Sequence, residues 1–255
     1  MFATVRTIEE ILNELAPMET AEGYDNVGAL VGRRDQEVKK ILVALDATWD
    51  VVQEAEEIQA DLIVTHHPLM FHSRKNMLED DVEGRILCEM VRHHLAMIAA
   101  HTNLDKTALS GSACCAKLLQ LQNVRQEGYL FLGELPKPVK ASELQDTITR
   151  ALRFPTRLYG GGDLTVSTLA IGGGACDEEW LQAKELGAQA FLTGEVRHHN
   201  ALAAAMDGFA LYDGGHYGTE APLVPVLAEY LQKRLDDVQY QVRVYPSQRE
   251  PFGRV

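Results

Sequence analysis

Cysteine is scarce in this 255-residue chain, which carries only Cys88, Cys114, Cys115 and Cys176. None forms a C-x-x-C pair, and adjacent Cys114 and Cys115 have the wrong spacing for a tetrahedral thiolate site. They read as small apolar core residues of a reducing compartment, so any metal here is bound through nitrogen and oxygen. Basic residues are also in the minority: 24 Lys and Arg against 37 Asp and Glu give a formal net charge of −13. That argues against a nucleic-acid partner, because phosphate contacts need clustered Lys and Arg. No window approaches the roughly 20 apolar residues of a membrane-crossing helix. Met1 to Leu15 lacks the basic start and apolar run of a signal peptide, so a cytoplasmic protein with no membrane association is expected. A G-x-x-x-x-G-K-[ST] phosphate loop is missing too.

What remains is an ordinary globular composition, 46% apolar and 24% charged, in a chain long enough for one large domain or two lobes. Helices are expected over Thr7 to Leu15, Trp49 to Gln59, Gly84 to His94, Ser142 to Leu152, Glu178 to Leu186, His198 to Met206 and Ala221 to Leu235. Short apolar runs predict strands at Ile41 to Leu45, Asp61 to Thr65, Ala96 to Ala100, Val166 to Ile171, Gln189 to Leu192, Phe209 to Tyr212 and Tyr240 to Val244. The alternation implies an α/β fold with mostly parallel sheets flanked by helices. The middle is less regular, with Pro136 and Pro138 punctuating a turn. A boundary near residues 120 to 130 gives two expected α/β lobes, 1–125 and 126–255.

An internal echo supports two lobes. Residues 55 to 65 read A-E-E-I-Q-A-D-L-I-V-T and residues 183 to 193 read A-K-E-L-G-A-Q-A-F-L-T. Each unit is followed downstream by a strand ending in His-x-x-x-acid: His101 to Asp105, and His216 to Glu220. Ligands of open α/β sheets collect at the carboxyl ends of strands, where these polar clusters fall.

Adjacent His66 and His67 sit on an expected strand end, where neighbouring side chains point in different directions. They suit two ions side by side, or one ligand and one supporting residue, better than a single ion. His101 with Asp105, and His216 with Glu220, are four apart, which on a helical turn means one face and a natural half-site for a divalent cation. A carboxylate can also bridge two metals. The pairs His93-His94 and His198-His199 lie in expected helices and read as surface residues. Gly172-Gly173-Gly174 follows a strand, and a plain tight turn is favoured there over a phosphate cradle.

At these residues the sequence resembles the Nif-three-like (YbgI-type) proteins, often labelled GTP cyclohydrolase I type 2 homologues. The matching stretches are Glu22-Gly-Tyr-Asp-Asn-Val-Gly28, Thr65-His-His-Pro-Leu-Met-Phe71, Ala100-His-Thr-Asn-Leu-Asp105, Thr193-Gly-Glu-x-x-His-His199 and Gly215-His-Tyr-Gly-Thr-Glu220. Tyr24 stands where the family usually has Trp. The stretch from Lys106 to Cys115 lacks an Asn-Asp pair often seen there. The resemblance implies two α/β lobes facing one another. It implies two divalent metal ions per chain held by His66, His67, Asp105, His216 and Glu220, with Glu220 bridging and His101 as a sixth ligand or a supporting residue. Glu195 and His198 would line the cleft. The implied assembly is a toroidal homohexamer.

Two such cations can activate a water and polarise a carbonyl, amidine or phosphoryl group, with Glu195 or His101 as proton shuttle. The expectation is therefore a metal-dependent hydrolase acting on a small molecule. By the family label, the named candidate is ring opening of a purine nucleotide such as GTP. Nitrogen and oxygen ligands admit Zn, Mn, Fe, Co or Ni. The rival expectation is a non-catalytic metal-binding or scaffold protein that acts through partners.

Overall fold

Leu62-Ile-Val-Thr65 is buried at every residue, as a strand covered on both faces requires. It lies at the centre of the first of two compact units in the computed structural model, which describes residues 2–252. One unit takes the chain up to Thr107 and again from Val224; the other is Ala108–Leu223. Among the described residues no helix is long and apolar enough to cross a membrane.

In the first unit the strand order is Arg243–Pro246, Lys40–Ala44, Leu62–Thr65, Ala96–Ala99, Gly28–Val31. The first four are parallel and Gly28–Val31 runs antiparallel at the edge. Helices Trp49–Glu57 and Val82–Arg92 bury Val51, Val52, Ala55, Ile86 and Met90 in one cluster with Leu42, Ile63 and Met97. Each large aliphatic residue so buried contributes roughly 1.5–3 kcal/mol. Thr48 and Asp81 cap these helices, accepting from the backbone N–H of Val51 and Gly84.

The second unit has the order Gln122–Glu127, Leu130–Lys140, Thr165–Ile171, Ala190–Thr193, Ala210–Asp213, Arg157–Tyr159. Its core cluster joins Leu144, Ile148 and Leu152 of helix Ala141–Leu152 to Leu169, Ile171, Leu192 and Tyr212.

The α/β class matches the expectation, with three differences of detail. The second sheet is parallel only through its three central strands, and its other pairings are antiparallel. Pro136 and Pro138 do not mark a turn between elements; they lie within the strand Leu130–Lys140. The register shifts there, from Glu134 opposite Thr168 to Val139 opposite Val166. Such a bulge is where a strand tolerates residues with no N–H to donate. The third difference concerns the C-terminal segment, expected with the second lobe. Its strand pairs in parallel with Lys40–Val43 of the first sheet, because the outer edge of that buried strand needs a partner.

The echo has a topological counterpart. Leu62–Thr65, helix Val82–Arg92, Ala96–Ala99 and the short helix Thr102–Asp105 follow one another in the first unit. Ala190–Thr193, helix His198–Asp207, Ala210–Asp213 and the short helix His216–Glu220 do so in the second. In both, the two strands are parallel neighbours.

Asp177 fixes the start of helix His198–Asp207. It is 2% exposed and accepts from the Arg197 backbone N–H (2.8 Å), the Arg197 guanidinium (2.7 Å) and Asn200 Nδ2 (2.8 Å). Burial works to raise its carboxyl, but the hydrogen bonds from Arg197 and Asn200 outweigh it and hold it below the ordinary value. A group depressed in the folded state stabilises above its unfolded pKa and loses that contribution as acid protonates it. Asp177→Asn is expected to cost about 1–3 kcal/mol at neutral pH, since Arg197 is half-exposed and screened by water. The urea midpoints of the two proteins should converge below about pH 4; a gap independent of pH would refute the assignment.

Candidate metal-binding clusters

Both units put their chemistry at the carboxyl edge of the sheet. In the first, the chain bends as it leaves Thr65, whose Oγ1 donates to the His67 carbonyl (2.7 Å). The two histidines therefore do not alternate as extended neighbours would. Their ring centroids are 4.8 Å apart, and His101 from the next strand end lies 5.1 and 5.3 Å from them. One ring nitrogen from each of the three falls within 4.8 Å of the others, a grouping that could hold a metal ion.

The orientation of each ring is set by an oxygen on its Nδ1 side. His66, 1% exposed, donates Nδ1–H to the Ala100 carbonyl (2.9 Å). His67 donates to Asp46 Oδ1 (2.7 Å) and His101 to Asp25 Oδ1 (2.9 Å). These bonds fix the tautomer that leaves Nε2 with a lone pair, the pattern of metal-ligating histidine. Asp25 also accepts from the backbone N–H and the hydroxyl of Thr102. Burial works to raise its carboxyl, yet the hydrogen bonds from Thr102 and His101 hold it below the ordinary value. His101 is pushed down, first by burial and then by the neighbouring charge of His66, so it favours the neutral, ligating form.

Asp105 sits at the end of the short helix Thr102–Asp105, with Oδ1 3.5 Å from His66 Nε2. Asp105 thus faces across to His66, a neighbour from another strand end. His101 caps the helix, and its Nδ1 serves Asp25.

In the second unit, His216 and Glu220 occupy one face of a five-residue helix, with Nε2 3.0 Å from Glu220 Oε2. Here the four-residue spacing works as expected. Glu220 is 5% exposed. His216 Nδ1–H donates to Glu195 Oε1 (2.8 Å), and Glu195 has φ +54°, a strained backbone for a non-glycine residue. Glu195 is thus placed to orient His216. Gly194 permits this, because a Cβ there would lie 2.6 Å from the His216 backbone nitrogen.

A chemical conflict unites the clusters. With Nδ1–H already donated, His216 Nε2 and Glu220 Oε2 are two acceptors at 3.0 Å. His66 Nε2 and Asp105 Oδ1 repeat the arrangement at 3.5 Å. Acceptors face one another only when a proton or a cation lies between them. Imidazole and carboxylate donors so arranged fit a divalent cation.

The tight-turn reading of Gly172-Gly173-Gly174 is supported. Its three N–H groups donate to the Leu192 carbonyl, Ser112 Oγ and Thr219 Oγ1, leaving none for a phosphate. His93, His94, His198 and His199 are all exposed. Asp25 and Asp46 were not singled out from the sequence. Asp46 carried a usable signal, as an acid just past the end of a buried strand.

The profile of the Duf34/NIF3 (NGG1p interacting factor 3) family matches residues 3–251. The chain belongs to this family. Among its NIF3 relatives, a GTP cyclohydrolase 1 type 2 homolog of Clostridium perfringens is 31% identical over 257 residues, covering 96% of this chain and 97% of that one. A homolog of the same name from Streptomyces coelicolor is 35% identical over 253 residues, covering 92% and 88%. A Helicobacter pylori protein named GTP cyclohydrolase 1 type 2 is 30% identical over 231 residues, covering 90% and 92%. Among solved structures, the Staphylococcus aureus hypothetical protein SA1388 superposes with a TM-score of 0.94 at 26% identity, over 99% of both chains. A Bacillus cereus protein related to NIF3 superposes at 0.93 with 20% identity over 98% of both, a likeness of fold.

Proposed function

We propose that this NIF3-family chain is a divalent-metal-dependent hydrolase of a small molecule. The donors His66, His67 and Asp105, with His216 and Glu220, serve two ions per chain. The observation that carries this reading is the shared wiring of four histidines. Each gives Nδ1–H to an oxygen, and two of them turn Nε2 toward a carboxylate. Bound cations supply Lewis acidity and an activated water. The chain's residues do the rest. Asp46, Asp25 and Glu195 hold His67, His101 and His216 in the ligating tautomer, while Glu220 offers a carboxylate with little competing water. The relatives' names make a purine nucleotide such as GTP the first substrate to try, and the family resemblance points to a homohexamer.

The test is elemental analysis of the purified chain, then incubation of metal-loaded protein with GTP and a panel of phosphoesters and amides, following formate, phosphate and amine release. Two ions per chain with metal-dependent turnover supports the proposal. Tightly held metal with no turnover across the panel leaves a metal-binding module acting through partners, and absence of bound metal rejects both. Light scattering separates a hexamer from smaller assemblies. Because Glu195 holds His216, Glu195→Ala is expected to weaken metal affinity about 10–100-fold, the usual effect of losing such a partner. Unchanged affinity with a reduced rate would restore the shuttle role.

A further inference from the structure

Beside His67 the first unit has a pocket of about 290 Å³ that no step above uses, lined in part by Asp46, Thr48, Trp49, Val82 and Ile86. We propose that it binds a planar, uncharged heteroaromatic ring of the nucleobase class, as the part of the substrate that positions the reacting bond near His67.

Four observations lead there. The volume is at the low end of the roughly 300–1,000 Å³ of ligand pockets, so it admits one ring system rather than an extended molecule. Its lining is mostly apolar, contains neither Lys nor Arg and includes the Asp46 carboxylate, which disfavours a phosphate or carboxylate as the occupant. Trp49 is 36% exposed at the start of its helix and presents an indole, the side chain best suited to stacking on a flat ring. Asp46 Oδ1 is engaged by His67 Nδ1, which leaves its Oδ2 to accept from a ring N–H. His67 itself borders the pocket, so a ring bound here lies against that side chain.

This inference rests on the hydrolase reading only for what happens at His67, and its test needs no turnover. The full chain has two tryptophans. Trp180 is 5% exposed, so the response of tryptophan emission to a ligand reports Trp49. Guanosine, adenosine and inorganic triphosphate are titrated into chelator-treated and metal-loaded protein, followed by fluorescence and calorimetry. A nucleoside is expected to quench saturably in both forms, and triphosphate in neither. Trp49→Ala should weaken nucleoside binding at least about tenfold by calorimetry, and Trp49→Tyr, which keeps a ring, by no more than about threefold. No saturable binding of either nucleoside to wild type, equal affinity in Trp49→Ala, or the same quench by triphosphate would overturn the proposal. The wild-type titration decides even if a variant fails to fold. Nucleoside binding without metal-dependent turnover would defeat the hydrolase reading and leave the pocket assignment standing. Turnover without nucleoside binding would do the reverse.

Discussion

Alanine at His67 is expected to lower divalent-metal affinity at least about 100-fold. Losing a supporting partner alone typically costs about 10–100-fold, and here the donor itself goes. The mechanism is specific. His67 reaches its position through the bend after Thr65 and is held by Asp46, so no neighbouring side chain can take its place without moving that bend. The fold should tolerate the change, because the His67 and Asp46 side chains are 21% and 38% exposed. Metal also links to stability. An ion present at about 1,000 times its dissociation constant stabilises a folded chain by about 4 kcal/mol. Wild type should therefore gain several degrees in melting temperature on adding metal, and His67→Ala should gain far less. His199→Ala is the control, an exposed histidine that belongs to neither candidate cluster. If metal content by elemental analysis is the same in His67→Ala and wild type, the first-unit cluster is not a ligand set.

Gly174→Ala is expected to destabilise by about 3 kcal/mol or more and to disturb the second cluster. The backbone at Gly174 has φ +64°, and a Cβ there would stand 2.2 Å from Glu220 Oε1. Left-handed backbone at a non-glycine residue costs about 1–3 kcal/mol by itself. The remainder comes from Glu220, which is buried and has Gly173 and Thr219 as near neighbours, so its carboxylate cannot simply swing away. Gly128→Ala separates the two contributions. Its φ is +60° with nothing within 4 Å of the added methyl, so it carries only the backbone term. Urea denaturation of both variants gives the difference. Equal midpoints would show that Glu220 moves freely, and its role as a fixed donor would fail.

The sequence made some of this legible and hid the rest for physical reasons. Buried parallel strands such as Leu62–Thr65 announce themselves as short apolar runs, and the histidines and acids that follow them stand out because strand ends collect ligands. The i, i+4 spacing correctly anticipated His216 with Glu220. At His101 and Asp105 the rule gives less, because the first residue caps the helix and the second lies against His66. Spacing describes a helix but not which tertiary neighbour competes for the side chain. The hairpin Gln122–Glu127 with Leu130–Lys140 was hidden because every residue of its edge strand is exposed and its partner contains two prolines. Asp25 lay within a recognisable stretch, yet its role depends on an antiparallel strand beginning at Gly28, a pairing that local pattern does not reveal.

The pairing of Arg243–Pro246 with Lys40–Val43 has a consequence for biosynthesis. Everything from Ala108 to Leu223 leaves the ribosome before the strand that closes this side of the earlier sheet. Until then Lys40–Ala44 presents a raw, hydrogen-bond-hungry margin, the kind of surface that invites mispairing with other chains. The nascent protein must shield that margin for as long as it takes to synthesise more than a hundred further residues.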